Sequence, residues 1–261
     1  MNGAELKATL NSGGRVFGTM LSLTRNPRWI PELANVGLDY VVIDTEHGAR
    51  SRGELADFLT TLNTTGVVPI VRIPIPDSHY VTMILDAGAQ GVLAPYCETV
   101  EEVKDVVGAA KWRPLKGESV RRLVDTGEHV SNETRAYLEE RNKNSVVIIG
   151  IESVRAVNNL EDILKVEGID GIFVGPNDMS ISLGIPDQYD KPEYKETVKK
   201  VIDISEAHGK PVLVHHQTPD LSSYWIEQGA RFVLHTTDRR ILAEGYRADF
   251  KRLRDVADAL E

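Results

Sequence analysis

The sequence predicts an α/β protein of the (β/α)8 class, a TIM barrel, with an additional C-terminal helix. Three observations predict it. Eight short β-rich runs alternate with segments of helical periodicity. Several runs are apolar at almost every position, as strands buried on both faces of a parallel sheet are. A helix-to-strand junction also recurs, in Val36-Gly37-Leu38-Asp39-Tyr40, Glu167-Gly168-Ile169-Asp170-Gly171 and Gln228-Gly229-Ala230-Arg231-Phe232. Eight such units in about 250 residues favour a closed barrel over an open sheet.

The strand candidates, in order, are Val16–Ser22, Tyr40–Asp44, Val67–Arg72, Gly91–Pro95, Val146–Gly150, Gly171–Gly175, Pro211–His215 and Phe232–His235. Between them stand helix signals. Pro27 and Pro192 suit first helical positions, where the missing N–H costs nothing. Ser51-Arg52-Gly53-Glu54 and Thr99-Val100-Glu101-Glu102 are capping boxes, followed by Leu55/Phe58/Leu59/Leu62 and Val103/Val106/Val107/Ala110 at helical spacing. Gly37, Gly66, Gly88, Gly168, Gly209 and Gly229 fall where a helix would close in the left-handed conformation. The long polar stretch Trp112–Asn144 contains Arg113, Lys116, Arg121 and Arg122, then a predicted helix near Ser131–Arg141. From Ile241 to Leu260, Phe250, Leu253, Val256 and Leu260 form one stripe, packing either on the same barrel or on a neighbouring subunit. No linker divides the chain, so residues 1–261 are expected to form one barrel domain ending in a helical tail over 241–261.

Composition narrows the class of function. Of 261 residues 41% are hydrophobic, enough for a sizeable core, which excludes intrinsic disorder. Thirty basic against 39 acidic side chains give a net charge of −9, which argues against nucleic-acid or anionic-membrane partners. The single cysteine, Cys97, excludes a disulfide framework and any multi-cysteine metal site. No apolar run approaches the roughly 20 residues of a membrane span, and Met1–Leu10 lacks the apolar core of a signal peptide. A cytoplasmic protein is expected.

In a barrel the chemistry collects at the C-terminal ends of the strands. There the sequence places Asp44, Glu46 and His47; Arg72; Gly150 and Glu152; Asn177 and Asp178; His215, His216 and Gln217; and His235 with Asp238. Glu152 and Asp178 follow adjacent strands, so their oxygens either meet on a hard divalent cation or cap the helices that follow. Asp44 and His47 lie three residues apart, a spacing that allows an Asp–His hydrogen bond orienting a general base; a rim histidine in a polar network is the alternative. Arg72 points into the mouth, to hold a carboxylate or developing enolate, to pair with Asp44 or Glu46, or both. Only one of His215 and His216 can face the interior. These two and His235 are either metal ligands or satisfied rim histidines.

Together, Val42-Ile43-Asp44-Thr45-Glu46-His47-Gly48, Val71-Arg72, Ile151-Glu152-Ser153 and Val174-Gly175-Pro176-Asn177-Asp178-Met179-Ser180 resemble the class II pyruvate aldolases of the 4-hydroxy-2-oxoheptanedioate aldolase (HpcH/HpaI) family. The resemblance runs nearly the whole chain. It implies a (β/α)8 barrel, a homo-oligomer (a hexamer, built from dimers that exchange the C-terminal helix) and a Mg²⁺, Mn²⁺ or Co²⁺ requirement. Matched motif to motif, it implies metal ligands at Glu152 and Asp178, a His47–Asp44 dyad and an enolate-stabilising Arg72. It implies substrate binding at Arg72 and around Gly175, Asn177 and Asp178, through amides at a helix start. The sequence departs from the family pattern at Gly150, at Arg113-Pro114-Leu115-Lys116-Gly117-Glu118-Ser119 and at His235-Thr236-Thr237, where an aldehyde partner would be selected.

The expected activity is a metal-dependent aldehyde-lyase. It cleaves or forms a 4-hydroxy-2-oxo acid, giving pyruvate and an aldehyde through a metal-stabilised pyruvate enolate. A Schiff-base route needs a lysine inside the barrel, and the lysines here fall in helices or loops. Two rivals stand beside it. One is an acyl-CoA lyase or oxaloacetate decarboxylase on the same scaffold, with Arg113/Lys116/Arg121/Arg122 as a basic entrance. The other is a non-catalytic barrel that binds a 2-oxo acid.

Overall fold

The computed structural model describes residues 1–128 and 131–260. Its eight parallel strands close in sequence order, β1 (Val16–Leu21), β2 (Tyr40–Asp44), β3 (Val68–Arg72), β4 (Gly91–Ala94), β5 (Val146–Gly150), β6 (Gly171–Val174), β7 (Val212–His216) and β8 (Phe232–Thr237). The (β/α)8 expectation holds, with strand ends shifted by a residue or two. β8 runs furthest beyond its expected end, because a register shift between Gly18 and Met20 of β1 lets it continue to Thr237. Among the described residues no helix is long and apolar enough to cross a membrane.

Strand alternation sorts the side chains into two cores. Tyr40, Val42, Val68, Ile70, Leu93, Ile148, Phe173, Leu213, Phe232 and Leu234 pack inside the barrel. The residues between them, among them Val41, Ile43, Val71, Val92, Val147, Ile149, Ile172 and Val214, pack against the helices. Small residues inside make room for large ones: a Cβ on Gly18 would lie 2.6 Å from the Tyr40 ring. Leu6 and Leu10 of the first helix, Gly3–Asn11, join the inner core and close its lower end. Continued upward by one step, the same alternation delivers Asp44, Arg72, Gly150, Gly175, His215 and Thr236 to the mouth.

The local signals act as anticipated. Ser51 and Thr99 cap the helices Arg52–Leu62 and Val100–Lys111 in complete capping boxes. Gly168 and Gly229 take φ values of +102° and +104°, which a side chain would strain. Gly66 does not adopt the left-handed conformation; hydrogen-bonded turns over Thr61–Thr65 carry the chain to β3 instead.

The stretch after Trp112 holds two helices, Gly117–Thr126 and Asn132–Asn142, where one was expected. The unanticipated helix lies on Val100–Lys111, with Val120 and Val124 against Gly108. Arg113 pairs with Asp86 at 3.4 Å, at the C-terminal end of the helix Ser78–Asp86 and so at the foot of the barrel. Arg122 pairs with Glu118 at 3.0 Å. Arg113 is therefore not part of a basic entrance at the mouth.

The last helix, Asp238–Asp258, leaves the barrel, and every described residue from Glu244 onward is exposed. Where it departs, an apolar groove of 610 Å³ remains open between β1 and β8, lined by Phe17, Trp29, Leu33, Val36, Ile226 and Ile241 among others.

Candidate active site

β2 and β3 are paired with Asp44 opposite Arg72, and both point inward. The side chains meet as a fork, Arg72 Nε donating to Asp44 Oδ1 at 3.0 Å and Nη2 forming an ion pair with Oδ2 at 3.0 Å. Nη1 reaches Glu46 Oε2 at 2.9 Å, and Nη2 lies 3.8 Å from the Met20 sulfur. One Nη1 hydrogen is left without a partner among the described residues, free for a ligand oxygen. Asp44 also accepts from the backbone N–H of Glu46 (3.1 Å) and His47 (3.3 Å), which fixes the turn after β2. Burial works to raise the Asp44 pKa, but the Arg72 hydrogen bond and charge, with the two amides, bring it below the ordinary value. The same pairing outweighs burial at Arg72 and raises its pKa.

The expected Asp44–His47 side-chain dyad is corrected here. The Asp44 carboxylate is occupied by Arg72 and by backbone amides, His47's own included. The His47 ring stands at the rim, 68% exposed, with Nε2 3.7 Å from Glu46 Oε2. A cation buried beside Asp44 competes better for its carboxylate than an exposed imidazole does.

Glu152 follows β5 and is buried. Its Oε2 accepts the Tyr96 N–H at 2.6 Å, and the carboxylate passes between two glycines. A Cβ on Gly150 would sit 2.8 Å from Oε2, and one on Gly175 would sit 1.8 Å from Oε1. Burial first, then the nearby charges of Asp178 and Glu46, push the Glu152 pKa up to about 8, against the Tyr96 hydrogen bond and Arg72. Glu46 is likewise raised, by burial and by Asp44 and Asp178, against Arg72 and His47. Glu152, Glu46 and Asp178 thus share a space in which negative charge is in excess. Hard oxygen donors held together against their own repulsion suit a divalent cation. Among the described residues no group of three or more His, Cys, Asp and Glu is arranged to hold a metal. Glu152 and Asp178 together offer two carboxylates, so a cation held there would take its other ligands from water and substrate.

Gly175 caps the helix Pro176–Ser182, and Asp178 lies in its first turn. Asn177 Oδ1 is 2.7 Å from the Tyr189 hydroxyl, which also lies 2.7 Å from Asp187 Oδ1. The hydroxyl has one proton to give, so it donates to one of these two oxygens at a time.

The three other histidines separate as alternation requires. His215 is inside, buried and neutral, its pKa pushed down to about 3 chiefly by burial. His216 is outside, stacked on Trp225 at 6.0 Å between Tyr189 and Tyr194. His235 also faces the helices, and its Nδ1 meets the Ser222 hydroxyl at 2.9 Å. Asp238 accepts the N–H groups of Ser22, Leu23 and Thr24 and so holds the loop after β1.

Two features of the mouth lay outside the sequence reading. The Tyr96 amide, presented by a residue at φ +49°, is a backbone donor at a strand end that carries no carboxylate until Glu98. The need for glycine at 175 arises from the passage of a carboxylate from the neighbouring strand, which no local pattern records.

A closed (β/α)8 barrel with carboxylates, an arginine and a helix N-terminus converging at the C-terminal ends of its strands is an enzyme barrel of the kind that handles oxyanions. Comparison with known proteins makes this specific. The sequence profile of the HpcH/HpaI aldolase/citrate lyase family matches residues 19–243, and the chain belongs to that family. It is 31% identical over 261 residues to the 2-keto-3-deoxy-L-rhamnonate aldolase of Salmonella gallinarum, covering 97% of this chain and 95% of that protein. It is 30% identical over 236 residues to the 5-keto-4-deoxy-D-glucarate aldolase of Escherichia coli O157:H7, covering 90% of each. The crystal structure of an HpcH/HpaI aldolase from Desulfitobacterium hafniense superposes with a TM-score of 0.83 at 31% identity, covering 95% of this chain and 96% of that one.

Proposed function

We propose that the protein is an aldolase that cleaves, or in reverse forms, a 4-hydroxy-2-oxo acid, with pyruvate as the common fragment. The observation that carries this reading is the buried Glu152 carboxylate, raised in pKa beside Asp178 and within the field of Arg72. Such a pair has a purpose as the seat of a divalent cation next to an oxyanion site. Glu152 and Asp178 would hold Mg²⁺, Mn²⁺ or Co²⁺, which when bound supplies a Lewis acid for the 2-oxo group. Arg72 offers its remaining N–H to the oxygen that gains charge as the enolate forms, and Asp44 and Glu46 keep the guanidinium in place. The amides at the start of the helix Pro176–Ser182 receive the substrate carboxylate. His47 takes the proton from the C4 hydroxyl, and its ring is oriented by Glu46. No lysine stands among the buried polar residues described, which favours this route over a Schiff base.

Chelation tests the reading. EDTA should abolish pyruvate release from a 4-hydroxy-2-oxo acid, and Mn²⁺ or Mg²⁺ should restore it. Full activity in chelator would refute it.

The oligomer belongs to the same proposal. Tyr246, Phe250, Leu253, Val256 and Leu260 lie exposed on the departing helix, and the groove between β1 and β8 is apolar and open. A second copy of the chain, exchanging this helix, covers both surfaces at once. The unit is then a homo-oligomer of barrel domains, each lending residues 241–261 to a neighbour, with small molecules as its other partners in the cytoplasm.

A further inference from the structure

The mouth is divided by charge. The acids stand on the arc that follows β2, β5 and β6, with Arg72 on β3 between them. The arc closed by β7, β8 and β1 carries neutral polar groups instead. His215, Gln217 and Thr236 form its centre, and the reaction outlined above uses none of them.

Their contacts make a ring. His215 Nε2 lies 3.3 Å from the Thr236 carbonyl and 3.4 Å from the Gln217 side-chain amide. The Thr236 hydroxyl donates to Gln217 Oε1 at 3.3 Å. All three distances are at the long end for hydrogen bonds. The accounting is also incomplete, since one ring nitrogen cannot donate to the carbonyl and accept from the amide together. The Thr19 hydroxyl, 3.4 Å from the same carbonyl, gives its proton to the His235 carbonyl at 2.9 Å, so His215 is the carbonyl's side-chain donor and the Gln217 amide lacks an acceptor on the ring. Polar groups this deep are ordinarily bonded at closer range. His215 is 7% exposed, the same as Arg72, and Thr236 is 2% exposed.

Thr236 is also held at φ +53°, a conformation that a β-branched residue rarely adopts. The register shift between β8 and β1 imposes it, and the result turns the Thr236 side chain onto Gln217. The strain thus holds the Thr236 hydroxyl on the Gln217 amide oxygen rather than in apolar packing.

We infer that His215, Gln217 and Thr236 form a subsite for a hydroxyl group on the aldehyde fragment. This rests on the aldolase reading and adds to it the class of aldehyde. A neutral imidazole, an amide and a hydroxyl offer both donors and acceptors, as an alcohol requires. The ring holds no cation for a second carboxylate, and the guanidinium of Arg72 is already shared between Asp44 and Glu46. A hydroxyl inserted among the three shortens loose contacts and gives the Gln217 amide its acceptor. The subsite therefore favours hydroxylated, uncharged aldehydes over alkyl ones of the same size.

The test sets glycolaldehyde against propanal, which differ by a hydroxyl in place of a methyl group. The full chain, supplied with Mn²⁺ and pyruvate, is given both aldehydes in competition, and the product ratio gives the ratio of kcat/KM. His215→Leu and Gln217→Met should each lower the wild-type preference for glycolaldehyde by about tenfold, the worth of one well-placed hydrogen bond in a closed site. His215→Asn, which keeps a donor and an acceptor, should retain most of it. If His215→Leu does not fold, Gln217→Met, at a half-buried position, decides. Ratios within twofold of wild type in the folded variants would overturn the subsite. Deuterium exchange at C3 of pyruvate by the wild type, without aldehyde, separates the two readings. Exchange with unmoved ratios refutes the subsite alone, whereas no exchange and no product from either aldehyde refutes the aldolase reading and the subsite with it.

Discussion

Gly175→Ala adds a single methyl group, and the structure sets what that group meets. The new Cβ would stand 1.8 Å from Glu152 Oε1, 2.8 Å from its Cδ and 3.2 Å from its Cγ. A separation of about 3.0 Å is the least that a carbon and an oxygen tolerate, so the carboxylate would have to move by more than about 1 Å. On the far side Oε2 is already held by the Tyr96 N–H, so any such movement acts on that bond. The displacement breaks the 2.6 Å bond from the Tyr96 N–H, a charge-assisted bond worth about 1.5–3 kcal/mol. A ligand misplaced by about 1 Å costs on the order of 10²-fold in rate. Mn²⁺ titration followed by paramagnetic resonance, with pyruvate release measured in parallel, reads both effects. Affinity and rate should each fall by about 10²-fold while the fold persists by circular dichroism. A variant within threefold of wild type in both would refute the role given to Glu152 and to the gap beside it.

Two further outcomes follow from other parts of the fold. Burial holds the His216 pKa down to about 4, against an ordinary 6.5; the unfolded chain therefore binds a proton before the folded one as pH falls. The stability this confers is fully present above pH 6.5 and is lost as pH falls toward 4, about 3 kcal/mol in all. Replacing His216 by Phe, which can stack on Trp225, should flatten the urea-derived stability profile between pH 7 and 4 by about that amount, and an unchanged slope would count against it. Phe250→Asp with Leu253→Asp should dissociate the assembly in sedimentation while leaving the barrel's melting cooperative; an unaltered oligomer would show that the helix packs elsewhere.

The barrel was legible because its signals are redundant. Tyr40-Val41-Val42-Ile43 and Val146-Val147-Ile148-Ile149 must be buried on both faces, and capping boxes fix where the intervening helices begin. The rim was legible because strand alternation decides which side chains reach it, so Asp44, Arg72 and His215 stand out in the sequence as strand-end residues. Partnership was less legible. A three-residue spacing lets Asp44 meet His47, but the choice goes to Arg72, which comes from the next strand with a buried charge. The helix Gly117–Thr126 escaped notice because its apolar contribution is only Val120, Leu123 and Val124 in a polar run. Thr236 gave no sign of its backbone, since its conformation comes from a register shift between strands far apart in sequence.

The leucines of the first helix give the barrel a floor. The interior above that floor is filled by Tyr40, Phe173 and Phe232, so a substrate that is longer by several carbons gains no space within the barrel. Added length must project outward, past the rim and toward whatever stands above it. The barrel therefore measures the chemistry of the reacting end, and the tolerance for chain length is delegated to the loops that frame the opening.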